Sequence, residues 1–103
     1  MVSPKTVIWS PSAQNDLENI ADYLIHDWSI KVVTTFLERL NRIIEQIRVN
    51  PGQYPLIHRT LDVRKCILTK HNTLYYRIKS NQIEIIRIFD TRQDPDKLKI
   101  FIQ

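Results

Sequence analysis

Residues 73–89 read TLYYRIKSNQIEIIRIF and decide the fold class. In the first half, Leu74, Tyr76 and Ile78 stand at every second position, so they would share one face of a β-strand, and the residues between them would lie on the other face. A polar turn at Ser80-Asn81-Gln82 separates this strand from an apolar run at 83–89. Two strands joined by so short a polar connection predict a β-hairpin.

The second strand of this hairpin carries apolar residues on both faces. Strict alternation assigns Ile83 and Ile85 to one face and Ile86 and Ile88 to the other. This pattern is typical of a central or covered strand.

Strand signals continue upstream of the hairpin. Residues Asp62–Thr69 predict a strand, and Lys70-His71-Asn72 predict the turn that leads into residues 73–79. The β-branched and aromatic run at residues 5–9 predicts a first strand. Downstream, we expect a loop at Asp90–Pro95, and residues 97–102 fit either a terminal strand or a helical turn.

Two helices are predicted between the first strand and the later ones. Ser10-Pro11 and Ser29 supply helix-start signals, and Asn50-Pro51-Gly52 supplies a stop. Apolar residues recur at three- and four-residue steps over about residues 11–28 and again to about residue 49. The connection is so short that an antiparallel helical hairpin is expected.

The element order is therefore β-α-α-β-β-β in a single domain over residues 1–103. Segregated helices and hairpins predict an α+β fold, in which an antiparallel sheet is packed on one face by the antiparallel helical hairpin. The other sheet face has no helix to cover it. We expect Arg64, Arg77 and Arg87 on or near that face, beside apolar residues, which makes it a candidate binding surface.

Composition excludes several classes of protein. With one Gly among 103 residues, the chain lacks the glycine-rich loops that cradle phosphates. With one Cys, Cys66, it has neither an internal disulfide nor a multi-cysteine zinc site, and we expect this cysteine to be a packed core residue. No apolar run is long enough to span a membrane, and no apolar signal core begins the chain, so a cytoplasmic location is expected.

Charge is distributed unevenly along the chain. Residues 1–50 carry five basic and six acidic groups, and residues 51–103 carry ten basic and five acidic groups. The positive second half indicates a polyanionic or acidic partner, although a solvated basic face has the same composition. His26, His58 and His71 show no metal-ligand spacing, so no metal or cofactor is expected. Of these, His71 is the candidate general acid or base, because it lies in a turn between basic strands.

Taken together, short motifs across nearly the whole chain resemble the RelE/ParE superfamily of bacterial toxins, and most of all its ParE-type members. Each motif is weak, but their order and spacing are specific. They are Ile8-Trp9-Ser10-Pro11, Ile20-Ala21-Asp22-Tyr23-Leu24, the break at 50–55, Arg64-Lys65, Leu74-Tyr75-Tyr76-Arg77-Ile78 and Ile88-Phe89-Asp90-Thr91-Arg92-Gln93-Asp94-Pro95.

This resemblance implies the toxin of a type II toxin–antitoxin system. The expected partner is a ParD-like or similar antitoxin, encoded beside the toxin, whose disordered tail folds on the toxin in a hetero-oligomer. ParE-like members are associated with inhibition of DNA gyrase, whereas RelE-like members cleave mRNA on the ribosome. The RelE-like members usually carry a Tyr or His near the C-terminus as acid or base.

The residues after Pro95 include no Tyr, His or Arg, which favours inhibition of gyrase by binding over catalysis. For contacts with the target or the antitoxin, the expected residues are Arg64, Arg77, Arg87 and Arg92. The enzyme alternative is a ribosome-dependent mRNA interferase that uses His71, Lys70 and Arg77. A third possibility is a non-toxic homologue that only binds its antitoxin.

Overall fold

The structure, a computed structural model, describes residues 5–90. Within these residues, two helices and five strands follow one another, with one short 3₁₀ turn at Pro51–Gln53. The elements are β1 (Thr6–Trp9), α1 (Pro11–Asp27), α2 (Ile30–Val49), β2 (Leu56–His58), β3 (Val63–Ile67), β4 (Asn72–Lys79) and β5 (Gln82–Asp90). This arrangement confirms the predicted α+β class, with one strand more than the sequence indicated.

Local capping chemistry sets the start of both helices. The Ser10 hydroxyl accepts a hydrogen bond from the Ala13 amide at 3.0 Å, and the Ser29 hydroxyl accepts one from the Val32 amide at 3.3 Å. These bonds satisfy amide groups that the first turn of a helix leaves without partners. The predicted helix boundaries are accordingly confirmed to within a residue.

The sheet has the strand order β1-β5-β4-β3-β2. The pairings β3–β4 and β4–β5 are antiparallel, as predicted, and the unpredicted β2 is antiparallel to β3. The strand β1 departs from the predicted antiparallel sheet, because it runs parallel to β5. The helical hairpin connects these two parallel strands, and its length allows the crossover that a parallel pair requires.

The strand β2 was not predicted. It has three residues, pairs only with β3 and contains a register shift between Leu56 and His58. A three-residue edge strand is too short for alternation to be visible in the sequence.

The main core fills the space between the helices and the sheet. The helices contribute Ala13, Phe36, Leu40, Ile43 and Ile47, and the sheet contributes Cys66, Leu68, Leu74, Tyr76, Ile83, Ile85 and Ile88. Cys66 is 2% exposed, which confirms the prediction of a packed cysteine. Burial also raises the pKa of its thiol.

One bulge changes the predicted faces of β5. Tyr75 pairs with Arg87 and Tyr76 pairs with Ile85, so Ile86 is an extra residue on β5. Beyond the bulge, Ile88 joins Ile85 in the helix-side core, while Ile86 packs against a second cluster. The prediction that Ile86 and Ile88 share a face is therefore wrong.

The predicted C-terminal features fall almost entirely outside the described residues. Asp90, where the predicted loop begins, is the last residue of β5. Arg92, the rest of that loop and the 97–102 segment lie beyond the described part of the chain.

Tyr76 joins the sheet to the turn after α2. Its ring is fully buried, and its hydroxyl donates to the Pro51 carbonyl at 2.5 Å. The ring of Tyr54 packs edge-on against it, with centroids 6.4 Å apart. Burial raises the pKa of the Tyr76 phenol because ionisation would place a charge in the apolar core.

We therefore expect Tyr76→Phe to lower the free energy of unfolding by about 1–2 kcal/mol, because the Pro51 carbonyl loses its donor. The raised pKa also makes the free energy of unfolding depend on pH. The contribution of the neutral Tyr76 phenol is fully present below the ordinary tyrosine pKa of 10.0. It falls as pH rises above that value, because the phenol ionises in the unfolded state before it does so in the folded state. Tyr76→Phe should make this alkaline loss shallower. Urea unfolding at neutral and alkaline pH measures both effects, and an unchanged alkaline slope would contradict the second.

Candidate interaction surfaces

The sheet face opposite the helices is closed at its centre. Val63, Tyr75 and Phe89 form a second cluster there, each between 2% and 5% exposed, with Leu61 and Ile86 packed against it. The expectation of an open, half-apolar binding face is thus wrong at the centre of the sheet. Apolar exposure persists at the rim, where Ile67 is 64% exposed.

Arg77 lies on this face and is paired. It faces Glu84 across β4 and β5, and its Nε lies 2.6 Å from the Glu84 carboxylate. The Arg77 side chain remains 32% exposed. Its guanidinium can therefore still reach a partner at the rim of the sheet.

Arg64 lies on the other face, contrary to its predicted placement. It pairs with Tyr76, whose ring belongs to the helix-side core. Its guanidinium donates to the Tyr54 carbonyl at 2.8 Å and lies 4.0 Å from the Asp62 carboxylate. Cys66 and Leu68 must enter the helix-side core, and a period of two then places residue 64 on the same side.

Arg87 is clamped to α1. Its Nε and one terminal nitrogen donate to the two carboxylate oxygens of Asp16 at 2.6 and 2.9 Å. The same carboxylate accepts the Ile88 amide at 3.0 Å. The hydrogen bonds to Asp16 raise the pKa of the Arg87 guanidinium, and the side chain is 23% exposed.

The residues proposed for catalysis are not brought together. His71 and Lys70 lie in the turn before β4, whereas Arg77 is near the other end of that strand. His71 and Arg77 are six residue steps apart along the extended chain, which is about 20 Å. A single scissile phosphate could not contact all three side chains at once.

The structure reveals a groove that was not predicted. It has a volume of about 810 Å³ and lies between the helical hairpin and the β3–β4 turn. Ile20, Leu24 and Ile88 supply aliphatic lining, and Tyr23, Trp28 and Phe36 are its aromatic residues. Trp28 is 67% exposed, because it is the C-cap residue of α1 and lies just beyond the last turn of the helix.

Two cations of α2, Lys31 and Arg39, also line this groove. Neither side chain forms an ion pair or hydrogen bond within residues 5–90. Both belong to the half of the sequence with a slight excess of acidic residues, so charge counting did not point to them. His71 in the β3–β4 turn and Asn72 at the start of β4 form part of the opposite wall.

Within residues 5–90, no three His, Cys, Asp or Glu side chains converge in a way that could hold a metal ion. Neither α1 nor α2 is long and apolar enough to cross a membrane.

The fold is shared with solved chains of toxin–antitoxin systems. A chain of the chromosomal ParDE toxin–antitoxin system from P. aeruginosa superposes with a TM-score of 0.70 at 19% identity, covering 85% of this chain and 97% of that one. A chain of the RelBE2 toxin–antitoxin complex from Mycobacterium tuberculosis gives a TM-score of 0.54 at 19% identity, covering 84% and 98%.

Sequence comparison identifies the family. Residues 7–95 match the family model described as the ParE toxin of the type II toxin–antitoxin system parDE. Toxin ParE1 of Mycobacterium tuberculosis is 31% identical over 94 residues, which cover 85% of this chain and 91% of that protein. The chain belongs to the ParE toxin family, which confirms the predicted resemblance.

The clamp between α1 and β5 gives a direct test of the geometry. We expect Asp16→Ala to lower the free energy of unfolding by about 2–3 kcal/mol, because a mostly buried guanidinium and the Ile88 amide both lose their acceptor. Asp22→Ala on the same helix is the matched control, since that carboxylate is exposed, and it should change stability by about 0.5 kcal/mol or less. Equal effects in chemical denaturation would contradict the role of Asp16.

Proposed function

We propose that this chain is the growth-arresting toxin of its toxin–antitoxin pair and acts by binding and inhibiting DNA gyrase in the cytoplasm. We further propose that a cognate antitoxin neutralises it in a hetero-oligomeric complex. The match to the ParE family model over residues 7–95 carries this proposal. Toxin–antitoxin complexes among the proteins of similar fold support the antitoxin partner.

The state of the sheet arginines favours binding over turnover. Arg77 is paired with Glu84, Arg87 with Asp16, and Arg64 donates to a backbone carbonyl. Arginines that stabilise a developing phosphate charge need donors directed at the substrate. The Nε of Arg77, one terminal nitrogen of Arg64, and the Nε and one terminal nitrogen of Arg87 are directed at groups of the protein itself.

Arg77 is the strongest candidate for target contact among the described arginines. It combines partial exposure with a position on the sheet face that neither α1 nor α2 covers. Arg92 remains a proposed contact on the grounds of the family resemblance. For Arg64 and Arg87 we propose a supporting role, because each is held by neighbouring groups and no more than about a quarter exposed.

The defining experiment is gyrase supercoiling of relaxed plasmid with ATP, titrated with the purified chain. We expect a dose-dependent loss of supercoiling, accumulation of cleaved DNA and rescue by the antitoxin. Unimpaired supercoiling at a large excess of folded protein would rule out the gyrase target. Cleavage of mRNA in a ribosome-dependent assay would then support the interferase, and unimpaired growth on expression would support a non-toxic homologue.

Two substitutions separate target contact from structural support at the Arg77–Glu84 pair. Arg77→Ala should raise the concentration needed for half-inhibition about tenfold, because a charge that contacts the target is lost. Glu84→Ala breaks the same pair but leaves the cation free, so it should change that concentration about twofold at most. If both variants weaken inhibition equally, Arg77 acts through the fold and does not contact the target.

A further inference from the structure

Three basic side chains form a line across the sheet face opposite the helices. Lys65 on β3 pairs with Tyr75, and Tyr75, Arg77 and Lys79 occupy alternate positions of β4. Tyr75 belongs to the cluster on that face, so alternation places all three cations on the same side of the sheet. We call Lys65, Arg77 and Lys79 the basic ridge.

The positive charge of the basic ridge exceeds the negative charge beside it. Lys65 and Lys79 are exposed and form no ion pair with any residue from 5 to 90. Arg77 is held at its Nε by Glu84, which the pairing of β4 with β5 brings beside the ridge. Three cations thus stand against one carboxylate, and two of the cations are available to a ligand.

The spacing of these cations fits an extended polyanion. Arg77 and Lys79 are two residues apart on one strand, which is about 7 Å. Lys65 and Arg77 are diagonal neighbours on adjacent strands, about 7–8 Å apart. The ridge is therefore about 14 Å long, and one strand of duplex DNA presents about four phosphates over that length. Lysine and arginine side chains are long and flexible enough to reach successive phosphates.

The aromatic side chains of this face are closed to a ligand. Tyr75 and Phe89, which belong to the cluster on this face, are 5% and 4% exposed. Single-stranded nucleic acids are bound by stacking of their bases on exposed aromatic rings. Protein interfaces bury aromatic anchors and are depleted in lysine. Accessible cations beside buried aromatic rings instead favour the backbone of a duplex, whose binding requires charge and no stacking surface.

We propose that the basic ridge binds the phosphate backbone of duplex DNA, without reading its sequence, and so holds the toxin on the DNA that gyrase acts on. This inference rests on the gyrase part of the proposed function, which it deepens. It assigns to the nucleic acid a contact that would otherwise be made with the enzyme alone.

The first test is binding of the full chain to a labelled DNA duplex of about 20 base pairs, without gyrase, over a range of salt concentrations. Release of counterions from three phosphates predicts a slope of about −3 for the logarithm of the binding constant against that of the salt concentration. Duplexes of unrelated sequence should bind with affinity within about twofold of one another, because the phosphate contacts carry no sequence information.

Substitutions in the ridge should change both affinity and slope. Lys65→Ala and Lys79→Ala should each weaken DNA binding about threefold to tenfold at about 50 mM salt and make the slope shallower by about 0.9. Lys65→Arg keeps the charge and should retain both values. Because Lys65 and Lys79 are exposed, thermal unfolding should be unchanged within about 2 °C for all three variants.

Glu84→Gln provides a test that a purely structural role would fail. It removes the carboxylate beside the ridge and releases the Nε of Arg77, so DNA binding should become about twofold tighter. If the ridge served only to stabilise the sheet, breaking this pair would weaken binding or leave it unchanged.

Matched controls come from the same molecule. Arg42→Ala removes an exposed cation from α2, on the helix side of the sheet. Ile67→Ala removes a 64% exposed apolar side chain from β3, at an alternate position to Lys65 and so on the ridge face. Both controls should bind DNA with affinity within about twofold of the unsubstituted chain and with an unchanged slope.

The outcomes separate this inference from the proposed function. Gyrase inhibition by a chain that binds no duplex DNA at low salt would overturn the inference and leave the function intact. Equal DNA binding by all ridge variants would overturn the ridge assignment. Ridge-dependent DNA binding without gyrase inhibition would support the DNA site and reject the gyrase target. Tighter binding of single-stranded RNA than of duplex DNA would overturn the choice of a duplex and favour the interferase.

Discussion

The Asp16 carboxylate joins the two layers of this fold. The pairing of β1 with β5 ends at Ile85. Beyond that residue, backbone groups on the same edge of β5 form hydrogen bonds with side chains at the start of α1. The Ser10 hydroxyl donates to the Ile86 carbonyl at 2.7 Å, and Asp16 accepts the Ile88 amide. The first turns of α1 thus continue the edge where β1 stops, so a strand that would expose unpaired groups is closed. By binding Arg87 as well, Asp16 fixes the helix that forms one wall of the groove.

Elements encoded by local chemistry were predictable from the sequence. Both helix starts depend on a serine and its third neighbour, and the end of α2 coincides with Asn50-Pro51. The face of β5 beyond residue 85 was not predictable. The extra residue at Ile86 has no glycine to mark it, and it becomes apparent only when β4 is paired alongside. The same limit applies to the parallel direction of β1, which depends on contacts with a strand more than seventy residues away.

The presence of arginines at the candidate site was predictable from the sequence, but their pairing with acidic side chains was not. A sequence displays Arg77 and Arg87 as cations, while their partners Glu84 and Asp16 lie seven and 71 residues away. An ion pair of this kind leaves the arginine less able to bind a ligand, and a count of basic residues does not reveal the pair. Conversely, Lys31 and Arg39 stand in a half of the chain that carries a net negative charge, yet they line a cationic wall.

The positions of the two surfaces bear on how neutralisation could work. The groove lies on the helix side near the β3–β4 turn, whereas Arg77 lies on the opposite face towards the other end of β4. A partner that fills only the groove would leave Arg77 accessible. An antitoxin that blocks target contact must therefore either extend around the sheet from the groove or hinder the target by its own bulk. An extended tail that becomes ordered on binding can cover two faces of a protein with few contacts per unit of surface. Such a tail suits this toxin, because the exposed Trp28 and the cations Lys31 and Arg39 lie at a distance from Arg77, the proposed target contact.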